Sequence, residues 1–197
     1  MIIKPTDTVR DIVVNQAALF NLKSRQITKL IKEKEVPEYC VLHRRRPNKR
    51  IAARHPKHMT LRDLAVLNET KRSSDYFIGV LAQMLGITKQ QVMHLQFIRA
   101  YRYFLHCMDT LAAISKKFAD LKIEPTDEER QAQIERPNRG ITAVVRKYVQ
   151  LMNGAVPPDS VYDMEWSIVY EAFESTTNDA LEQRNLSSIQ TSKIRKR

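Results

Sequence analysis

The chain has 197 residues, 43% of them hydrophobic and only 4 of them Gly, which favours a helix-rich folded protein over a disordered chain or a β-sandwich. Its 33 Lys and Arg exceed its 22 Asp and Glu by 11, and with 2 Cys it has no disulfide framework, so a reducing compartment is expected. No stretch reaches the ~18 uncharged apolar residues of a membrane span, and the opening MIIKPTDTVRD has no apolar run of signal-peptide length.

Thr8 and Asp11 have capping-box spacing, and the pattern predicts a helix over 8–20 with Val9, Ile12, Val13 and Phe20 on one face and Asn21 as its stop. Ser24 can cap a second helix to about Glu35, with Ile27, Leu30 and Ile31 inward and Pro37 ending it. Tyr39 to Leu42 reads as a short strand. Pro47-Asn48 is the expected turn, and Arg50 to Ala52 a return strand. From Thr60 the pattern is helical. Thr60 and Asp63 repeat the capping spacing ahead of Leu61, Leu64, Ala65 and Leu67. Ser74 opens a helix carrying Phe77, Val80, Leu81, Met84 and Leu85, and Gly86 closes it. Thr88 and Gln91 form a third capping box.

Phe97, Tyr101, Phe104, Met108, Leu111, Ser115 and Phe118 then step by four and three, the stripe of a long helix facing a bundle core. Residues 124–129 read as an acidic linker and 136–140 as a turn. Ile141, Val144, Val145, Tyr148 and Met152 mark another helix, closed by Gly154. After Pro157-Pro158-Asp159-Ser160, a last helix carries Val161, Met164, Trp166, Ile168, Val169, Ala172 and Phe173. Tyr162, Trp166 and Tyr170 recur every four residues, a spacing read as a core stripe, with a buried assembly contact as the alternative. Beyond Arg184 the chain turns polar, and a basic tail over 185–197 is expected to need a partner to order it. The fold class is therefore mainly α, a helical bundle (59–184) with a small basic N-terminal module (1–58) and that tail.

The excess charge lies in two places. HRRRPNKRIAARHPKH, His43 to His58, holds seven Lys or Arg and no carboxylate, and KIRKR at the end holds four. Removing these 11 from 33 leaves 22 basic residues against 22 acidic, a neutral remainder. Charge this dense calls for a polyanion or an acidic surface. The candidate nucleic-acid contacts are Arg44, Arg45, Arg46, Lys49, Arg50, Arg54, Lys57, Lys193, Arg195, Lys196 and Arg197.

Residues 17–33, AALFNLKSRQITKLIKE, place a small residue, Ala17, four before the turn residue Asn21. Leu22, Ile27, Leu30 and Ile31 follow as anchors. With the strand and basic loop that come next, residues 8–58 resemble excisionase- and MerR-like winged helix-turn-helix modules. Two features differ from that pattern: Asn21 stands at the usual Gly, and the first helix starts early. The resemblance implies that Ser24, Arg25, Gln26 and Lys29 face a DNA groove while the basic loop contacts phosphate.

Cys40-x2-His43 and His55-x2-His58 form two ligand pairs that would suit tetrahedral zinc. Against this stands the preference of structural zinc sites for more Cys, and the reading adopted has no metal and no cofactor. No phosphate loop, nucleophile elbow or paired carboxylates can be placed. His106 and Cys107 are neighbours on a helix and diverge. Cys107 is expected to fill core space, Asp109 to be solvated, and the protein not to be an enzyme.

MTLRDLAVLNE (59–69), DYFIGVLAQMLGITKQQVMHLQF (75–97) and VYDMEWSIVYEAF (161–173) resemble small helical proteins of tailed bacteriophages, of the tail-assembly-chaperone or head–tail connector type. The basic front module departs from the chaperone pattern. The resemblance implies a structural or assembly protein, in the virion or the host cytoplasm. Its body would bind other virion proteins as an oligomer, and its basic segments would touch DNA or acidic partners. The alternatives are a DNA-binding regulator or packaging factor using the helix-turn-helix, and a small zinc protein.

Overall fold

Three helices begin where a Thr stands three residues before an acceptor side chain. In α1 (Val9–Val13) the Thr8 backbone N–H donates to Asp11 Oδ2 at 3.0 Å, and the Asp11 N–H donates to Thr8 Oγ1 at 3.3 Å. Thr60 and Asp63 make the same reciprocal pair at the start of α2 (Leu61–Leu67). Thr88 and Gln91 make it at α4 (Lys89–Val92). Each box satisfies two of the backbone donors that a helix start leaves open. The structure, a computed structural model, describes residues 7–13, 36–42, 49–68, 74–121 and 140–195, with side chains beyond residue 190 left aside. The rest of the predicted 8–20 helix and the whole 24–35 helix lie outside these residues.

The chain divides into two compact units, 1–112 and 113–197. In the first, β1 (Tyr39–Leu42) pairs antiparallel with β2 (Lys49–Ala52), with Cys40 opposite Ile51 and Val41 opposite Arg50. A 3-10 helix, Pro56–His58, leads to α2, then α3 (Ser74–Leu85), α4 and α5 (Phe97–Asp120). Gly86 closes α3 at a φ of +62°, where only Gly is unstrained.

The segment Met93–Phe97 holds this unit together through its backbone. The Val9 N–H donates to Leu95 O, the Phe97 N–H to Asp7 O and the Gln96 N–H to Val41 O, each at 2.9 Å. Strand β1 and the start of the chain are thereby tied to the helices. These ties reach past His58, where the sequence places a domain boundary, and the compact unit runs on to Ala112.

Helix α5 follows the predicted span with a different inner line. Phe97, Ala100, Tyr103, Cys107 and Ile114 are buried. Tyr101, Phe104, Met108, Leu111 and Phe118 are half-buried, and Ser115 is exposed. The half-buried aromatics serve α3: the Phe77 ring meets Phe97, Tyr101 and Phe104 at 6.3, 6.1 and 5.1 Å. Tyr103 goes deeper than its polarity suggests because its hydroxyl donates to Arg54 O at 2.6 Å.

The second unit holds the end of α5 with α6 (Gly140–Leu151), α7 (Pro158–Tyr162) and α8 (Trp166–Arg195). Ile114, Val145, Tyr148, Val161, Val169 and Phe173 form its core. Phe173 takes edge contacts from Tyr148 at 6.2 Å and Phe118 at 6.4 Å. Gly154, at a φ of +76°, caps α6 by donating to Val149 O at 2.9 Å. The expected 161–173 helix is broken. The Asp163 N–H turns back to Ser160 O and Val161 O, and the chain restarts at Trp166. Tyr162, Trp166 and Tyr170 are half-buried. Residues 185–195 are the continuation of α8, where the sequence reading had a separate tail. No Gly or Pro interrupts the helix from Trp166 to Arg195.

Candidate nucleic-acid interface

The β1–β2 hairpin carries the basic run on its return strand. Lys49 and Arg50 are exposed, and strand pairing sets Arg50 on the same face as Tyr39. The Arg50 guanidinium lies 4.4 Å from the Tyr39 ring centroid. From α5, the Arg99 guanidinium lies 4.8 Å from the same centroid. One half-buried tyrosine thus orients two arginines, and neither has a carboxylate partner among the described residues. Cation–π contact fixes each planar fork before any ligand arrives, so less side-chain entropy is lost on binding an anion. Two like charges held over one ring favour a bridging polyanion.

Behind the hairpin, the chain is braced by a buried carboxylate. Asp63 is 1% exposed and pairs with Arg54. Its Oδ2 also accepts from the Thr60 N–H at 2.8 Å and the Thr60 hydroxyl at 3.0 Å, and its Oδ1 accepts from Gln83 Nε2 at 3.2 Å. One side chain therefore caps α2, holds the segment leaving β2 and reaches α3. Arg54, a candidate nucleic-acid contact, keeps a side chain 38% exposed while its guanidinium is held in this network by Asp63.

Of the other named cations, Lys57 is exposed on the 3-10 helix. Arg44, Arg45 and Arg46 belong to the six residues between β1 and β2, outside the described residues, as do Lys196 and Arg197. Ser24, Arg25, Gln26 and Lys29 lie outside them too. Lys193 and Arg195 are in α8 by backbone. Sequence reasoning missed Tyr39 and Arg99. They are 60 residues apart, and neither sits in a motif. The one available signal was that Arg99 stands among the aromatic residues Phe97, Tyr101 and Tyr103 of the helix.

The zinc candidates occupy unlike surroundings. Cys40 is fully buried, burial pushes its thiol up to about 12, and the nearby Arg99 charge opposes that shift only in part. His55 and His58 are exposed, with ring centroids 6.5 Å apart, and His43 lies outside the described residues. Among the described residues no cluster of three or more His, Cys, Asp or Glu could hold a metal ion. His55 Nδ1 accepts from the Lys57 N–H at 3.2 Å. Burial, then the charges of Lys57, His58 and His106, hold His55 below the usual imidazole value.

No helix among the described residues is long and apolar enough to cross a membrane. Comparison with protein-family models, with curated proteins and with solved structures finds no match to this chain.

Proposed function

We propose that this chain is a non-enzymatic structural or assembly protein of a bacteriophage, in the virion or the host cytoplasm. Its helical body binds other virion proteins, and its basic hairpin holds a nucleic-acid backbone without reading sequence. The observation that carries the nucleic-acid part is the pairing of Arg50 and Arg99 on Tyr39 beside exposed Lys49. Aligned guanidiniums with an aromatic between them suit phosphate oxygens and, on single strands, a stacked base. The phage part is supported by the resemblance of residues 59–69, 75–97 and 161–173. Burial pushes both cysteine thiols up to about 12, so neither is proposed as a nucleophile.

The test is the salt dependence of binding to an unrelated duplex, followed by fluorescence anisotropy on the full chain. Each lost phosphate contact flattens the slope of log K against log salt by about 0.9. Arg50→Gln with Arg99→Gln should flatten it by about 2, and Arg44→Gln, Arg45→Gln and Arg46→Gln together by about 2 to 3, equally for all sequences. An unchanged slope and affinity in both variants overturns the reading. If Arg25→Ala with Gln26→Ala instead removes preference among sequences, at about 1–3 kcal/mol per base contact, the regulator reading replaces it.

A further inference from the structure

Helix α8 is 30 residues long, but Phe173 is the last buried side chain among those described on it. From Glu174 to Gln190 every residue is exposed except Thr177, Ala180 and Arg184, which are half-buried. A helix of that length without a packed face is marginal in water. Large apolar side chains nevertheless lie open along it: Ile168 is 51% exposed, Leu181 42%, Leu186 60% and Ile189 50%. At about 100° per residue these four fall within an arc of roughly 140°. That arc faces away from Val169 and Phe173, which pack into the core of the unit. α8 therefore carries a second line of apolar side chains, set among Glu171, Glu174 and Glu182 in the same arc, that the described residues of its own unit leave exposed.

The charges say what covers it. Residues 166–183 hold four carboxylates, Glu171, Glu174, Asp179 and Glu182, and no Lys or Arg. Residues 184–197 hold five cations, Arg184, Lys193, Arg195, Lys196 and Arg197, and no carboxylate. The helix macrodipole favours this polarity only within the first and last turns, so it does not account for Asp179 or Glu182. We propose that α8 pairs antiparallel with α8 of a second copy of this chain. Setting Leu181 level with Ile189 of the partner subunit centres the pair on Asn185. In that register residues 193–195 are level with 175–177 of the other copy. Each basic end then runs beside an acidic stretch, with Leu181, Leu186 and Ile189 between. A parallel pair would set acid beside acid and base beside base, which is destabilising.

The test uses the full chain. Light scattering after gel filtration should give twice the 23.0 kDa monomer mass. Leu181→Glu with Leu186→Glu should return it to the monomer, with circular dichroism confirming that the variant is folded. Glu171→Lys with Glu174→Lys should weaken the dimer, and adding Lys193→Glu and Lys196→Glu should restore it. Asn185→Cys should cross-link between copies under mild oxidation, whereas Asn178→Cys should not. A wild-type monomer at about 100 µM, roughly a hundredfold above a micromolar Kd, overturns the proposal. So does equal cross-linking at both positions, the signature of a parallel pair. If only a different protein or nucleic acid covers this face, the wild type stays monomeric and the proposal likewise fails.

Discussion

Cys40 and Cys107 are both fully buried in the first unit, and both thiols are pushed up to about 12 from an ordinary 9.0, chiefly by burial. Burial, first among its causes, also raises the Tyr103 hydroxyl. These groups stay protonated in the fold and ionise earlier in the unfolded chain. Below pH 9 both states hold the thiol protons, and the linkage contributes its full stability. Between 9 and about 12 the unfolded chain sheds protons that the native chain keeps, so stability falls as pH rises. We expect the urea midpoint to drop from pH 9 to 11, and Cys40→Ala with Cys107→Ala to drop less steeply. At pH 8 native protein should react with iodoacetamide far more slowly than urea-unfolded protein does. Labelling at the free-thiol rate in native protein would show that these cysteines are accessible. The sequence foretold that Cys107 fills space. It did not foretell the burial of Cys40, because inward and outward positions of a four-residue strand differ only by register.

Local signals carried the elements well where the chemistry is local. All three capping boxes, the two strands and the stops at Gly86 and Gly154 follow from residues at most four apart. What joins one element to another did not show. Asp63 was read as a cap, and so it is, but Arg54 and Gln83 also converge on it from nine residues before and twenty after. Composition cannot say which cation pairs with a carboxylate, so the Arg54 ion pair with Asp63 was not legible among the basic residues. Asp63 thus separates capping from tertiary bracing. Asp63→Asn keeps an acceptor oxygen and loses the ion pair, whereas Asp63→Ala leaves the Arg54, Thr60 and Gln83 donors without an acceptor. We expect Asp63→Ala to destabilise the first unit by about 3 kcal/mol and Asp63→Asn by about half that. Urea-dependent labelling of Cys40 and Cys107 reads this unit directly, since both thiols lie in it. Equal losses in the two variants would mean that the carboxylate charge, and not the set of acceptor bonds, carries the energy.

At the scale of the whole chain, the charge was legible before any fold, because counting needs no geometry. The basic run, the neutral remainder and the final KIRKR are facts of the sequence. That the first unit runs past the hairpin was not legible, since pairings such as Gln96 with Val41 are announced by no local pattern. Nor was the reach of α8, because a polar stretch reads as a tail whether or not it stays helical. The two proposals meet here. Each chain carries one hairpin, so a chain paired through α8 presents two. Binding one hairpin to DNA raises the local concentration of the other, and avidity follows without any new contact. Wild-type protein should therefore bind a long duplex at least about tenfold more tightly than a short one with room for a single hairpin. Leu181→Glu with Leu186→Glu should abolish that difference and leave the short-duplex affinity as it was. Arg50→Gln with Arg99→Gln should weaken both and preserve their ratio. If the double Glu variant keeps the wild-type ratio, avidity does not come from α8. If it loses short-duplex affinity as well, α8 itself touches DNA and the two roles are not separable.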